Sequence, residues 1–132
     1  MQKNPYENVI AVTNRSLCQR PFAEQIERVC SLYPKAVILR EKDLPEEEYS
    51  RLAEQILEIC KRYQVPCILH TYVNVAEKLH HPYIHLPMFL LEKYEGKLGD
   101  FRQIGSSVHS VEDASKAESL GADYLTAGHI YT

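Results

Sequence analysis

The sequence has no excess of basic residues, no long apolar run and few glycines. Its 132 residues include 15 Lys and Arg against 18 Asp and Glu, for a formal net charge of −3 at pH 7. This balance argues against a nucleic-acid binder, which needs a basic face to neutralise phosphates. No apolar run approaches the roughly 20 residues of a membrane span, and the polar start is not a signal peptide. We therefore expect a cytoplasmic protein with neither a nucleic-acid nor a membrane partner.

The cysteines and the isolated basic residues show no functional spacing. Cys18, Cys30, Cys60 and Cys67 lack a C-x-x-C pair, and Cys30 and Cys60 fall on apolar helix faces. We expect all four to be reduced thiols, as in a cytosolic protein, and none to be catalytic. The scattered basic residues that we expect to be solvated are Arg15, Arg20, Lys35, Lys61 and Arg62.

The chain alternates short β-type runs with helical patterns, which predicts a single α/β domain over residues 1–132. Parallel strands joined through helices fit this alternation, although a closed eight-unit barrel needs roughly 200 residues or more. The predicted strands are residues 9–12, 36–40, 65–69, 83–86, 102–107 and 124–127. Helices are predicted after Phe22, from Pro45 to just before Pro66, near residues 74–79 and after Ser110, with one irregular helix and a loop in residues 87–99.

The helix after Ser110 carries the clearest boundary signals. Ser110 with Asp113 three positions on predicts an N-terminal cap, and Gly121 predicts the left-handed residue that ends the helix. An inward face is predicted for Val111, Ala114, Ala117 and Leu120.

Polar residues recur where predicted strands end. These residues are Arg40, His70, His85, His109 and His129. In parallel α/β folds the carboxyl ends of the strands open onto one face, where ligands bind. The repetition predicts a shared pocket.

Arg40 and Lys42 are two cations two residues apart at the end of the second predicted strand. In an extended segment such side chains share one side, so they could clamp a phosphate or a carboxylate. The alternative is that the two cations are only a surface pair near Glu41 and Asp43.

The segment from Gly105 to Ser110 places small residues, hydroxyl groups and His109 between a strand and a helix. Backbone N–H groups at a helix N-terminus favour an anion, and an imidazole is suited to moving protons near neutral pH. The alternative is that His109 only packs beside Ser110. Further on, Gly128 before His129 would let the backbone approach a ligand closely.

A metal site is not expected. His70 and His85 could join His109 or His129 as imidazole ligands. However, no acidic residue lies at a strand end to complete such a site, so we expect His70 and His85 to line the mouth of the pocket.

Taken together, these segments resemble the thiamine phosphate synthase superfamily, and more specifically its TenI branch, the thiazole tautomerases. The similarity is carried, in family order, by residues 39–42, 84–86, 104–110, 121–124 and 128–131. It implies a TIM-type (β/α) barrel and a role in making the thiazole half of thiamine.

The resemblance also implies roles for particular residues. Arg40 and Lys42 match positions that hold phosphate oxygens, Ser107 matches another oxyanion contact, and His109 matches the general acid/base of the tautomerases. Gly128 and His129 are also more similar to that branch. The implied reaction is the isomerisation of a thiazole carboxylate phosphate by proton transfer, without a cofactor.

Two alternatives to the tautomerase remain. A thiamine phosphate synthase would join a pyrimidine diphosphate to a thiazole phosphate and would need Mg²⁺ held by an Asn-Asp pair after the third strand and an acidic residue after the fourth. The chain has His70 and Thr71 at the first place and residues 87–90, without a carboxylate, at the second. The other alternative is a non-catalytic member that binds a ligand or regulates.

Residues 1–132 contain no match to the last two βα units of the family, so we expect a barrel truncated to about six parallel strands. The chain is then a fragment or a shortened product, or a partner supplies the rest. Such a sheet would leave its first and last strands unpaired, which favours association. A homo-oligomer that covers these edges is therefore expected.

Overall fold

The computed structural model describes residues 4–127, in which strands and helices alternate and confirm the α/β class. The strands are β1 (Ile10–Val12), β2 (Ala36–Leu39), β3 (Cys67–His70), β4 (Tyr83–Pro87), β5 (Gln103–Val108) and β6 (Tyr124–Ala127). The α-helices are α1 (Phe22–Cys30), α2 (Glu46–Tyr63), α3 (Val73–Lys78), α4 (Met88–Lys93) and α5 (Val111–Ser119), and a 3₁₀ helix spans Arg15–Leu17. None of these helices, within the described residues, is long and apolar enough to cross a membrane.

The chain divides into two compact units, the first ending at His70 and the second beginning at Thr71. In the first unit the strands pair in the order β1, β2, β3, and in the second in the order β4, β5, β6. All of these pairs are parallel. Parallel neighbours need a crossover connection, and helices supply it in both units.

The core of the first unit surrounds β2 and β3, whose residues are all buried. A parallel strand covered on both faces must be apolar along its whole length, and the run from Ala36 to Leu39 meets that condition. Helices α1 and α2 pack against each other in this unit and bury Ile26, Ala53 and Ile56. Cys30 and Cys60, expected on the apolar faces of these helices, are buried as well.

The side chain of Tyr49 links helix α2 to the ends of two strands. Its buried hydroxyl donates a hydrogen bond to the Leu39 carbonyl at 2.6 Å and accepts one from the His70 N–H at 2.9 Å. A buried tyrosine needs such partners for its polar end. Three elements are thereby joined at one oxygen atom.

Helix α2 has the boundaries that the sequence signals predict. Pro45 precedes a first turn of Glu46, Glu47 and Glu48, where carboxylates meet the positive end of the helix dipole. Gln64 ends the helix with a φ of 58°, two residues before Pro66.

The third strand begins at Cys67, two residues later than predicted. His70 is therefore the last residue of β3 and does not follow the strand.

Strand β1 pairs with β2 alone within the first unit. Its side chains Ile10 and Val12 are exposed, at 37% and 55%. Exposed apolar groups on an edge strand favour association. The expected homo-oligomer stays a prediction.

Helix α5 confirms two of the three features predicted for it. The Ser110 side chain accepts a hydrogen bond from the Asp113 N–H at 3.0 Å, and Gly121 has a φ of +99°. Ala117 is fully buried, but the inward position predicted for Val111 is wrong, because Val111 is 81% exposed. Val111 is the first residue of α5, so no preceding helical turn shields it.

Gly105 lies in the middle of β5 under the ring of Tyr124 on β6. The two residues are register partners, and a Cβ atom at Gly105 would overlap the phenol ring. A glycine within a strand commonly marks such a close approach. The packing of β5 against β6 therefore requires the absence of a side chain at Gly105.

All four cysteines are free thiols, and Cys30, Cys60 and Cys67 are buried. The Cys30 thiol donates to the Cys60 sulfur at 3.8 Å, and this bond and burial raise the pKa of Cys30. The same bond lowers the pKa of Cys60, but its contact with Cys67 and burial outweigh this effect and raise it to about 12. Both thiols are therefore protonated near neutral pH.

We predict that a thiol reagent applied to the native protein at pH 7.5 labels Cys18 alone. The reactive species is the thiolate. The fold shields the three buried cysteines from the reagent. Counting labels by mass spectrometry should give one in the native state and four in denaturant, and Cys18→Ser should remove the first. Fast labelling of a second thiol in the native protein would contradict this assignment.

A second prediction concerns Gly105. Gly105→Ala should lower the free energy of unfolding by about 1–3 kcal/mol, the usual cost of overpacking, because the Tyr124 ring must move. Gly99→Ala is the matched control, since its new Cβ would meet nothing within 4 Å. Urea denaturation of both variants measures the difference, and equal midpoints would contradict the prediction.

Candidate functional site

In the first unit, a buried carboxylate organises the segment that follows β2. Glu41 is only 3% exposed and accepts hydrogen bonds from the Thr13 hydroxyl at 2.6 Å and from the Arg15 guanidinium at 3.0 Å. The backbone N–H of Arg15 also donates to both of its oxygens, at 3.0 and 3.1 Å. A buried charge is tolerated when it is paired and hydrogen-bonded in this way.

The prediction that Arg15 is solvated is wrong, because its guanidinium bridges Glu41 and Asp43. The hydrogen bond from Arg15 holds the pKa of the exposed Asp43 carboxyl below its usual range, and the same bond raises the pKa of Arg15. Glu41, which follows Arg40 directly in the chain, is buried and pairs with Arg15.

Arg40 and Lys42 are exposed and line one surface cavity of about 260 Å³. The backbone N–H of Arg40 donates to the Thr13 hydroxyl at 3.0 Å, and that hydroxyl donates to Glu41. The chain is thus fixed at Arg40 while the guanidinium reaches solvent. Arg15, Arg40 and Lys42 carry three positive charges against the two negative charges of Glu41 and Asp43, so the excess positive charge can attract an anion at this cavity.

In the second unit, two rows of register partners cross the sheet, and the second row lies nearer the carboxyl ends of the strands. His85, Gly105 and Tyr124 form one row, and Pro87, Ser107 and Thr126 form the next. Residues two apart on a strand point to the same face, so the polar side chains of both rows share one face. Gly105 leaves space above the middle strand, where the His85 and Tyr124 rings lie 5.5 Å apart.

Both ring nitrogens of His85 contact hydroxyl groups. Nε2 lies 2.8 Å from Ser107 Oγ, and Nδ1 lies 3.1 Å from the Tyr124 hydroxyl. Thr126 Oγ1 lies 3.4 Å from both His85 Nε2 and Ser107 Oγ. The prediction that His85 lies where the fourth strand ends is wrong, because it lies in the middle of β4 and is 2% exposed.

The environment of Tyr124 keeps its phenol protonated. Burial raises the pKa of Tyr124 to about 12, since a phenolate would lose its hydration there. Ser107 is half-buried and thus accessible from solvent, while His85 beneath it is not. This cluster of His85, Ser107, Tyr124 and Thr126, here called the histidine–hydroxyl cluster, can present a polarised serine hydroxyl to an oxyanion.

His109 follows directly after β5 and is exposed. Its backbone N–H donates to Asp113 Oδ2 at 3.2 Å, and the Asp113 N–H donates to the Ser110 side chain. These bonds fix the turn that carries His109 two residues beyond Ser107. An exposed imidazole at the carboxyl end of a strand can exchange protons with a ligand.

The remaining predicted residues have mixed outcomes. His70 is buried at the end of β3, whereas Gly128 and His129 lie outside the described residues. Among residues 4–127, no group of three His, Cys, Asp or Glu side chains could hold a metal ion. A pocket shared by every polar strand end stays a prediction.

Sequence reasoning missed four residues of these groups: Thr13 and Glu41 in the first unit, and Tyr124 and Thr126 in the second. One signal was present for Tyr124, because a glycine inside a predicted strand indicates a large neighbour. No comparable signal marks Thr13, which meets Glu41 across 28 positions of sequence.

Comparison with known proteins identifies the family. The family model for thiamine monophosphate synthase matches residues 9–132. Thiamine-phosphate synthase from Caldanaerobacter subterraneus subsp. tengcongensis is 33% identical over 127 residues, which cover 92% of this chain and 58% of that protein. Thiamine-phosphate synthase 2 from Streptococcus pneumoniae is 36% identical over 115 residues, covering 83% and 53%.

A solved structure agrees with the sequence comparison. The thiamine phosphate pyrophosphorylase from Pyrococcus furiosus matches with a TM-score of 0.80 at 25% identity, over 97% of this chain and 63% of that chain. The six parallel strands and their helices accordingly have the predicted TIM-type (β/α) fold. The chain spans 53% to 63% of the length of these three proteins. It belongs to the thiamine monophosphate synthase family.

Proposed function

We propose that this protein binds a phosphorylated thiazole and acts in the formation of thiamine phosphate, by the thiamine-phosphate synthase reaction. The relatives bear that name, and one observation carries the proposal to this chain. A polarised serine hydroxyl, Ser107, reaches solvent near the carboxyl end of β5, where ligands bind in parallel α/β folds.

The first unit supplies a second set of oxyanion-binding groups. Arg40 and Lys42 line one cavity, and the bonds from Thr13 and Arg15 to Glu41 hold the backbone between them. Guanidinium and ammonium groups bind phosphate oxygens by charge-assisted hydrogen bonds. Each unit thus carries its own groups for a phosphorylated substrate.

The described residues do not fit the Mg²⁺ site that the synthase reaction implies. His70 and Thr71 stand at the end of β3, and Pro87 and Met88 at the end of β4, where carboxylate oxygens would be needed. No alternative metal-binding group exists among residues 4–127. We therefore derive no step through Mg²⁺ and assign to Arg40, Lys42 and Ser107 only the binding of phosphate oxygens.

A second candidate reaction, thiazole tautomerisation, is favoured by His109. This exposed imidazole lies two residues beyond Ser107, on a turn held by Asp113. Moving a proton on a thiazole carboxylate phosphate needs a base near neutral pH and groups that hold the phosphate, and it needs no metal. Binding without turnover is the third outcome to test.

We predict that Arg40→Ala and Lys42→Ala each weaken the binding of a thiazole phosphate. Loss of one charge-assisted hydrogen bond should raise Kd roughly 10-fold to 100-fold, as measured by isothermal titration calorimetry. Lys61→Ala is the matched control, because Lys61 is an exposed lysine in the last turn of α2. Unchanged affinity in both variants would remove the first unit from the proposal.

His109→Ala separates the two reactions. For a synthase, pyrophosphate should be released from a pyrimidine diphosphate and a thiazole phosphate, and this release should survive the substitution. For a tautomerase, isomerisation should fall at least 100-fold in His109→Ala, typical of a lost general acid/base, and persist in EDTA. Both activities are measured on the same preparation. Thiazole phosphate binding without either activity would support the binding role.

A further inference from the structure

The histidine–hydroxyl cluster restricts where the hydroxyl hydrogen of Ser107 can point. A serine oxygen has two acceptor positions and one hydrogen to donate. Thr126 Oγ1 donates to Ser107 Oγ at 3.4 Å, and His85 Nε2 lies 2.8 Å from the same oxygen. The direction of the hydrogen therefore depends on which nitrogen of His85 carries a proton.

The Tyr124 hydroxyl can donate to Nδ1 in only one of the two neutral forms of His85. Burial raises the pKa of Tyr124 to about 12, so its O–H is intact near neutral pH and lies 3.1 Å from Nδ1. When this hydroxyl donates to Nδ1, the imidazole proton must be on Nε2, and Nε2–H donates to Ser107. Thr126 and His85 then occupy both acceptor positions of Ser107.

With both acceptor positions taken, Ser107 can only donate to a further partner. The side chain is half-buried, whereas His85 is 2% exposed, so that partner approaches from the solvent side of Ser107. An obligate donor suits an acceptor such as a phosphate oxygen. In the opposite form of the imidazole, Ser107 would donate to Nε2 and would offer a ligand only its lone pairs.

We infer that His85 and Tyr124 are positioning residues that make the Ser107 hydroxyl a fixed hydrogen-bond donor to a phosphate oxygen of the ligand. This inference rests on the proposed function, because it assumes that a phosphorylated compound binds at Ser107. It also explains the glycine at position 105: any side chain there would displace the Tyr124 ring that contacts Nδ1.

The ligand-free test is the protonation state of His85. Two-bond ¹H–¹⁵N correlation spectra of the full chain, labelled in histidine, should show the Nε2–H form for His85 at pH 7.5. Tyr124→Phe should mix the two forms, and Tyr83→Phe, a tyrosine on β4 outside the cluster, should leave the signal unchanged. A pure Nδ1–H form in the unsubstituted protein would overturn the inference.

The binding test uses a double-mutant cycle with a thiazole phosphate and, separately, inorganic phosphate as probes. Ser107→Ala should raise Kd roughly 10-fold, and Tyr124→Phe should raise it by a smaller factor. In the Ser107→Ala background, Tyr124→Phe should have no further effect. His85→Gln, whose amide can still donate to Ser107, should keep more affinity than His85→Leu. Circular dichroism and the unfolding midpoint verify that each variant is folded.

The outcomes separate this inference from the proposed function. No binding by the unsubstituted chain would overturn both. Unchanged Kd in Ser107→Ala would overturn the inference and leave phosphate binding to Arg40 and Lys42. A loss in Ser107→Ala with no loss in Tyr124→Phe and His85→Leu would overturn only the positioning role. Independent, additive losses in the cycle would do the same, since they would mean that Tyr124 acts on the ligand by another route.

Discussion

In-register parallel pairing is the constraint on which the second unit depends. It sets equivalent positions of β4, β5 and β6 side by side, so the residue at one strand limits what its neighbours can be. Gly105 stands between two ring-bearing residues, His85 and Tyr124, and only the absence of a side chain lets their rings meet above it. The next row then brings two hydroxyl groups, Ser107 and Thr126, to the histidine. A shift of one residue in β6 would turn these side chains to the other face.

In the first unit, a buried charge and its partners determine the position of the site residues. Glu41 is buried beside the cavity that Arg40 and Lys42 line, and its oxygens are satisfied by Thr13 and by the backbone and side chain of Arg15. Removing one partner from such a group leaves an uncompensated buried charge, which is strongly destabilising. The pairing therefore specifies one path for the chain after β2. This path places the exposed side chains of Arg40 and Lys42 at one cavity.

The fold class, the order of strands and helices along the chain, and the ends of α2 and α5 could be predicted from the sequence. Each of these depends on local signals. The all-apolar run before Arg40 requires a strand covered on both faces, and Pro45, Ser110 and Gly121 mark helix ends by their own chemistry. The pairing of Arg15 with Glu41 could not be predicted, since it joins residues 26 apart that only the fold brings together. From the sequence alone, Arg15 could not be distinguished from a solvated basic residue.

The same limit explains the errors at His85 and Val111. A histidine within a short apolar run resembles a strand end, and only the neighbouring hydroxyl groups show why it can be buried. The period of α5 places Val111 on the face of Ala114 and Ala117, but it does not reveal how far the packing extends beneath the first turn. Of the candidate site, the strand-end pattern indicated Arg40, Lys42 and His85, and the family resemblance added Ser107. Neither indicated Thr13, Glu41, Tyr124 or Thr126.

The hydroxyl of Tyr49 has a mechanical consequence for the first unit. It lies between the Leu39 carbonyl and the His70 N–H, two groups that could otherwise continue the ladder beyond the last register pair, Leu39 and Leu69. The hydroxyl oxygen separates this carbonyl from this N–H, so β2 and β3 diverge at their carboxyl ends. Helix α2 carries Tyr49 and thereby sets the separation of β2 and β3 at the point where the chain leaves β2 at Arg40.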